Sequence, residues 1–158
     1  MRAQLMMRFA IWMGVAAVAP AAALAQDNAA QCTVTEIRAS NEKGGVDPKL
    51  ERMKPKLSKP PFASYDTFKL LGEQAVDAQR GKASSVKLVN GSLTLLFKDK
   101  LVASGGKTRL RFGIDVDDKQ GARTISTEAK FDSGDPFFIA GQPYDGGTYV
   151  LVLTCNAP

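Results

Sequence analysis

Apolar and polar residues alternate with the two-residue period of strands along much of this chain, and the alternation gives way in two instructive places. One is the run Gly146 to Cys155 (GGTYVLVLTC), apolar at both parities and rich in β-branched and aromatic residues. That pattern predicts a strand buried on both faces in the middle of a sheet. The other is Asn41 to Phe62, where Gly44-Gly45 forms a turn and Asp47 precedes Pro48 as a helix cap does. Leu50, Met53 and Leu57 follow at i, i+3 and i+7, so a short helical insertion is predicted near residues 47–57, with Pro55 limiting it to one or two turns.

The remaining segments read as strands. Cys32 to Ala39 is a first strand, Ser64 to Gly72 a second, and Gln74 to Gln79 a third. Asn90-Gly91 suits a two-residue type I′ hairpin turn, which would set Leu88 opposite Leu93 and Val86 opposite Leu95, keeping the apolar partners on one face. Leu96 points the other way. A second hairpin is predicted around the loop Asp118 to Gly121, with Leu110, Phe112 and Ile114 opposite Ala129, Thr127 and Ile125 and the charged residues Arg109, Arg111, Asp115, Asp117, Arg123 and Glu128 on edges and the outer face. Phe137 to Ala140 is a short strand, and Gly141 to Gly146 a loop before the closing strand. Short strands at this spacing, separated by Gly, Pro, Asn and Asp, predict an all-β fold, an antiparallel β-sandwich ahead of a small β-barrel.

The N-terminal end changes the compositional picture. Arg2 and Arg8, the apolar run Phe9 to Val18 and Ala23-Leu24-Ala25 follow the plan of a secretory signal peptide, with cleavage after Ala25. Pro20 breaks the apolar stretch, which falls short of the roughly 20 residues a bilayer span needs. Residues 26–31 then form a flexible leader and 32–158 a single domain, with no transmembrane segment once the signal is removed. Of 21 Lys+Arg, two leave with the signal, so the mature chain sets 19 against 16 Asp+Glu, a net charge of +3. An exported chain with so small a net charge is a poor nucleic-acid binder.

Two cysteines in an oxidising compartment point to a disulfide between Cys32 and Cys155, joining the first strand to the last. The chain has no histidine to activate a free thiol. Candidate chemistry is otherwise sparse. Asp115, Asp117 and Asp118, with Asp132 and Asp135 downstream, form a weak cation candidate, but their spacing is not that of an EF-hand loop, and turn or wet-face roles account for them more simply. Glu36, Glu73, Asp77, Glu128 and Asp145 offer carboxylates for glycosidase chemistry with nothing to pair any two of them. Neither a zinc ligand set, a phosphate loop nor a dinucleotide fingerprint is present, so no cofactor is expected. Lys43, Lys49, Arg52, Lys54 and Lys56 make the insertion the most basic part of the mature chain and a candidate contact for an anionic partner, although a solvated loop capping an open end of the core is the plainer reading. Tyr144, among glycines and near Phe137 and Phe138, is a second candidate contact or a plug for the sandwich end.

The succession Ala39-Ser40-Asn41, Asp47-Pro48-Lys49-Leu50, Lys59-Pro60-Pro61-Phe62 and Phe68-Lys69-Leu70-Leu71-Gly72, with Tyr144-Asp145-Gly146-Gly147 near the end, resembles uncharacterised small secreted proteins of Gram-negative bacteria. The resemblance covers most of the mature chain and implies a bacterial envelope setting, periplasmic or secreted, without implying a mechanism. The expectation is a non-enzymatic accessory, binding or inhibitory module whose partner is an envelope or extracellular protein or a glycan. A carbohydrate-binding or carboxylate-based carbohydrate-active domain, and a structural subunit of an envelope complex, are the alternatives.

Overall fold

The computed structural model describes residues 28–103 and 105–157. Its strands are β1 (Ala29–Ser40), β2 (Gly45–Val46), β3 (Thr67–Gln79), β4 (Ala83–Leu88), β5 (Gly91–Val102), β6 (Thr108–Asp117), β7 (Arg123–Asp132), β8 (Pro136–Tyr144) and β9 (Gly147–Asn156). A five-stranded sheet in the order β2-β3-β1-β9-β8 faces a four-stranded sheet in the order β4-β5-β6-β7. The longer strands pair antiparallel, and only the two-residue β2 runs parallel to its neighbour β3. The fold is therefore an all-β sandwich, and the sheets do not close into a barrel. The expected signal peptide, residues 1–25, lies outside the described residues. Residues 29–31 of the expected leader belong to β1, and Ala30 is fully buried against the core.

The closing run takes the place its pattern predicts. β9 lies between β1 and β8, with Tyr149, Leu151, Leu153 and Cys155 facing the opposite sheet and Val150 and Val152 facing outward into a second apolar cluster. Cys32 and Cys155 are directly opposed on β1 and β9, 4.0 Å apart at Cα, and form the expected disulfide. Between the sheets, Phe97, Phe112, Phe131 and Phe137 stack in a column with ring centroids 5.1, 5.6 and 5.4 Å apart, running from β5, β6 and β7 across to β8. Stacked rings at such separations add to the burial of their large apolar surfaces.

Turn chemistry departs from expectation in an ordered way. The type I′ arrangement, with positive φ at both central residues, is taken by Asp145-Gly146 between β8 and β9 (φ 45° and 71°) rather than by Asn90-Gly91. In the β4–β5 hairpin Leu88 pairs with Gly91 and Val86 with Leu93, so Val89 and Asn90 form the turn and the register sits two residues from the expected one. Gly91 is needed for another reason: a Cβ there would collide with the Asp117 carbonyl oxygen of the adjoining strand. The β6–β7 hairpin is likewise displaced by two, Leu110 facing Phe131, Phe112 facing Ala129 and Ile114 facing Thr127, because its loop is closed by the Asp118 carboxylate accepting from the Gln120 and Ala122 amides. A shift of two leaves every side chain on its own face, which is why the face assignments survive while the partners change.

Two expected interruptions are bulges instead. The second and third predicted strands are one strand, β3, in which Leu71 is the extra residue between Gly72 opposite Glu36 and Leu70 opposite Ile37. The expected loop from Gly141 continues β8 to Tyr144, with Gly141 as the extra residue opposite the Val150–Tyr149 step. After a bulge the side chains change face, so Leu70 joins the outer cluster and Leu71 the inner one.

Candidate functional site

The insertion folds as a cap. The Asp47 carboxylate accepts the Lys49 amide at 2.9 Å and Pro48 opens a 3-10 turn, Pro48–Met53, that leads into α1 (Lys54–Leu57) with Pro55 in its first turn. A further 3-10 turn, Phe62–Ser64, brings the chain back to β3. Leu50, Leu57 and Phe62 point inward and are buried with Ile37, Ala39, Phe68, Val150 and Val152, with Met53 half-buried beside them. Phe62 meets Phe138 at 5.2 Å between centroids, and the Tyr65 hydroxyl shares a 2.8 Å hydrogen bond with Thr148. The cap thus covers part of the outer face of the five-stranded sheet rather than an open end of the sandwich core.

Its outward side is cationic. Lys43, Lys49, Arg52, Lys54, Lys56 and Lys59 are exposed, against Glu42, Asp47 and Glu51 in the same stretch. The excess of three positive charges equals the net charge of +3 carried by residues 26–158. Lys54 pairs with Glu51 at 3.1 Å, whereas Lys43, Lys49, Arg52, Lys56 and Lys59 make no ion pair among the described residues. Glu42 is drawn away by Arg38, whose guanidinium grips both carboxylate oxygens at 3.1 and 2.7 Å and holds the Glu42 carboxyl below its ordinary range by hydrogen bonding and by charge. Five of the expected contact residues, Lys43, Lys49, Arg52, Lys54 and Lys56, are therefore exposed within one stretch of the chain.

Tyr144 is not among them. It sits on β8, half-buried against the inner core, its ring 5.7 Å from that of Tyr149 and overlaid by the Lys119 ammonium at 5.9 Å. Tyr144 packs against the inner cluster and lies apart from the basic residues of the insertion.

The aspartates serve structure as well. Asp115 and Asp117 both accept from Arg123 at 2.9 Å, and Asp118 closes its own loop. Among the described residues no three His, Cys, Asp or Glu side chains are grouped as a cation would require. Three of the carboxylates considered for glycoside chemistry are held by different partners: Glu73 accepts from Thr35, Glu128 from Lys98, and Asp145 lies beside Arg38.

Glu36, considered above only as one of five unpaired carboxylates, is a buried polar link between the sheets. It is 1% exposed and faces the opposite sheet, where one carboxyl oxygen accepts both the Val89 amide, at 2.7 Å, and the Tyr149 hydroxyl. Gly72 leaves it room, since a Cβ there would stand 3.2 Å from its other oxygen. Burial first, and then the bond to Glu36, push the Tyr149 hydroxyl far above the ordinary tyrosine range. The signal was available in sequence: Cys32, Val34 and Glu36 share one parity, so a carboxylate is aimed inward on a strand whose other inward residues are apolar. The cavity beside Tyr149, lined by Val116, Ile125, Ile139 and Leu151 among others, holds about 10 Å³, room for one water at most.

These features define an antiparallel β-sandwich stapled between its first and last strands, with an apolar-anchored basic cap on one outer face. No protein-family model, curated protein or solved structure matches the chain.

Proposed function

We propose that this chain is an exported, non-enzymatic binding module of the bacterial envelope, and that the basic cap is the surface through which it meets an anionic partner. The observation that carries the reading is the contrast in pairing: Lys43, Lys49, Arg52, Lys56 and Lys59 are exposed and make no ion pair among the described residues, on or beside a scaffold fixed by Leu50, Leu57 and Phe62. A backbone already anchored needs little ordering on binding, and each cation contributes about 1 kcal/mol near an anionic surface at moderate salt. The small interior cavity and the dispersed carboxylates support a role without catalysis.

The test is binding of the mature chain to vesicles of phosphatidylglycerol and phosphatidylcholine, and to a sulfated polysaccharide, across a salt series. The wild-type chain should bind at least one anionic probe and release it as salt rises. Reversing Lys49, Arg52, Lys56 and Lys59 to glutamate should lower that affinity by about a hundredfold or more, given about 1 kcal/mol per cation. Salt-insensitive binding, or equal binding by the reversed variant, overturns the reading.

A further inference from the structure

We propose that β7, an edge of the four-stranded sheet, pairs antiparallel with β7 of a second copy of this chain, so that two sheets join into one across a two-fold axis. The contact is edge to edge and leaves the basic cap free.

The edges of the sandwich are not alike. β8 carries Pro136, Pro143 and the extra residue Gly141, all of which blunt an edge. Beyond its short pairing with β2, the edge of β3 faces that of β4, and the two occupy one another: the Gln74 side chain donates to the Lys87 carbonyl at 2.7 Å, and the Ser84 hydroxyl to the Asp77 carbonyl at 3.2 Å. On β7 these devices are missing. Residues 125–132 contain no proline and keep an unbroken register with β6, the one extra residue, Thr124, lying before them. Ser126, Thr127, Glu128 and Lys130 are exposed.

Alternation along the ladder fixes which backbone groups face outward. The Ser133 amide donates to the Thr108 carbonyl of the β6 side, so Phe131, Ala129 and Thr127, at the same parity, bond to β6. The N–H and C=O groups of Ser126, Glu128 and Lys130 therefore point away from it. The Asp132 carbonyl, at that second parity, accepts the Asp135 amide rather than a group of β6. An unpaired row of this kind is a template for another strand.

Charge selects the occupant and the register. A two-fold axis through Ala129 sets Glu128 opposite Lys130 twice, with Thr127 opposite Phe131 on the inner face. Opposite charges directly across a strand pair favour it, and like charges oppose it. An axis through Glu128 would instead set that carboxylate against its own copy, and one through Thr127 would leave Lys130 facing Thr124. Lys130 makes no ion pair among the described residues, whereas Glu128 holds Lys98 and lies 3.6 Å from Arg111 while staying exposed. Glu128 of the second copy supplies the partner that Lys130 lacks.

An edge contact is small and its affinity modest, so the mature chain is followed by sedimentation velocity from about 10 to about 500 µM, with hydrogen exchange read at both extremes. A reversible dimer should form, and the Glu128 and Lys130 amides should gain protection only at high concentration. Lys130→Glu and Glu128→Lys each place like charges across the axis and should weaken self-association about tenfold. Mixed in equal amounts, the two variants should associate as the wild type does, because every lysine then faces a glutamate. A chain that stays monomeric throughout, a dimer in which the Glu128 and Lys130 amides exchange as in the monomer, or a mixture that associates no better than either variant alone overturns the inference. Should either variant fail to fold, the exchange of the wild-type amides still decides.

Discussion

The two faces of the five-stranded sheet are buried by different means. Toward the other sheet, β1, β9 and β3 meet four strands whose inward residues follow a strict period of two, and the column of phenylalanines ties both sheets into one cluster. On the outer face, β1 and β9 meet a proline-punctuated segment of 3-10 and α turns that contributes Leu50, Leu57 and Phe62 at irregular intervals. The first arrangement depends on many long-range strand pairings and should break as a unit. The second rests on a few side chains and can loosen without unfolding the strands beneath it. The charges follow the same division. On the outer face of the four-stranded sheet Arg109, Arg111 and Arg123 each meet a carboxylate on a neighbouring strand, and Lys98 on β5 reaches across β6 to Glu128 on β7, where extended chains hold partners in fixed register. On the cap, Lys49, Arg52 and Lys56 stand exposed on short turns with no ion pair among the described residues.

The largest expected effect tests that division directly. Phe112 is fully buried at the centre of the ring column, and Phe112→Ala should cost about 3–5 kcal/mol and lower a single cooperative transition. Leu57→Ala, under the cap, should cost about 2–3 kcal/mol and act locally, so that cap amides exchange faster while amides of β5 and β6 keep their protection. Hydrogen exchange read residue by residue checks both. Equal loss of protection across cap and strands in Leu57→Ala would show that the cap is an integral part of the inner core.

The disulfide comes next, lying on the inner face between central strands. Replacing Cys32 and Cys155 together by alanine releases a closure spanning 123 residues in sequence and should cost about 2–5 kcal/mol, seen as a lower denaturant midpoint. Because β1 and β9 also carry Ile37, Val150 and Val152 beneath the cap, this variant should loosen the cap as well, unlike Leu57→Ala in reverse. A midpoint equal to that of the wild type would show that the strand pairing alone holds the termini.

How far the sequence reveals these regions depends on what each element answers to. Period-two alternation reports burial against one flat neighbour, so the faces of β5, β6 and β7 and the double burial of β9 could be read directly. Register depends on which turn residues take positive φ. Asn90-Gly91 and Asp145-Gly146 carry the same kind of signal, and the choice between them is made by the approach of Asp117 to Gly91, a contact distant in sequence. Bulges at Leu71 and Gly141 hide for the same reason, since a single extra residue only looks like a gap in the pattern. In the cap, Leu50, Met53 and Leu57 were legible as an apolar stripe, but nothing local says that the surface beneath is the outer face of a sheet. The basic residues were visible in sequence and their lack of partners was not, because pairing is decided by what folds opposite.

The smallest effect sharpens the comparison at the one polar point of the inner face. Tyr149 donates to Glu36, which also accepts the Val89 amide and so links β1 and β9 to the β4–β5 turn. Tyr149→Phe leaves the ring packing in place but deprives a buried acceptor of a donor, at a cost of about 1–2 kcal/mol near neutral pH. The pH dependence identifies the cause. In the unfolded chain Tyr149 ionises near pH 10, whereas in the fold burial and the bond to Glu36 raise its pKa well above that value. Above about pH 10 the unfolded state therefore binds fewer protons than the folded one, and the contribution of Tyr149 to stability, complete below that pH, is lost as pH rises, by up to about 1.4 kcal/mol per unit. The difference between wild type and Tyr149→Phe isolates this group. Denaturant midpoints at pH 8 to 11 should converge as the wild type loses its advantage, and parallel curves would mean that the Tyr149 hydroxyl ionises as readily inside the fold as outside it.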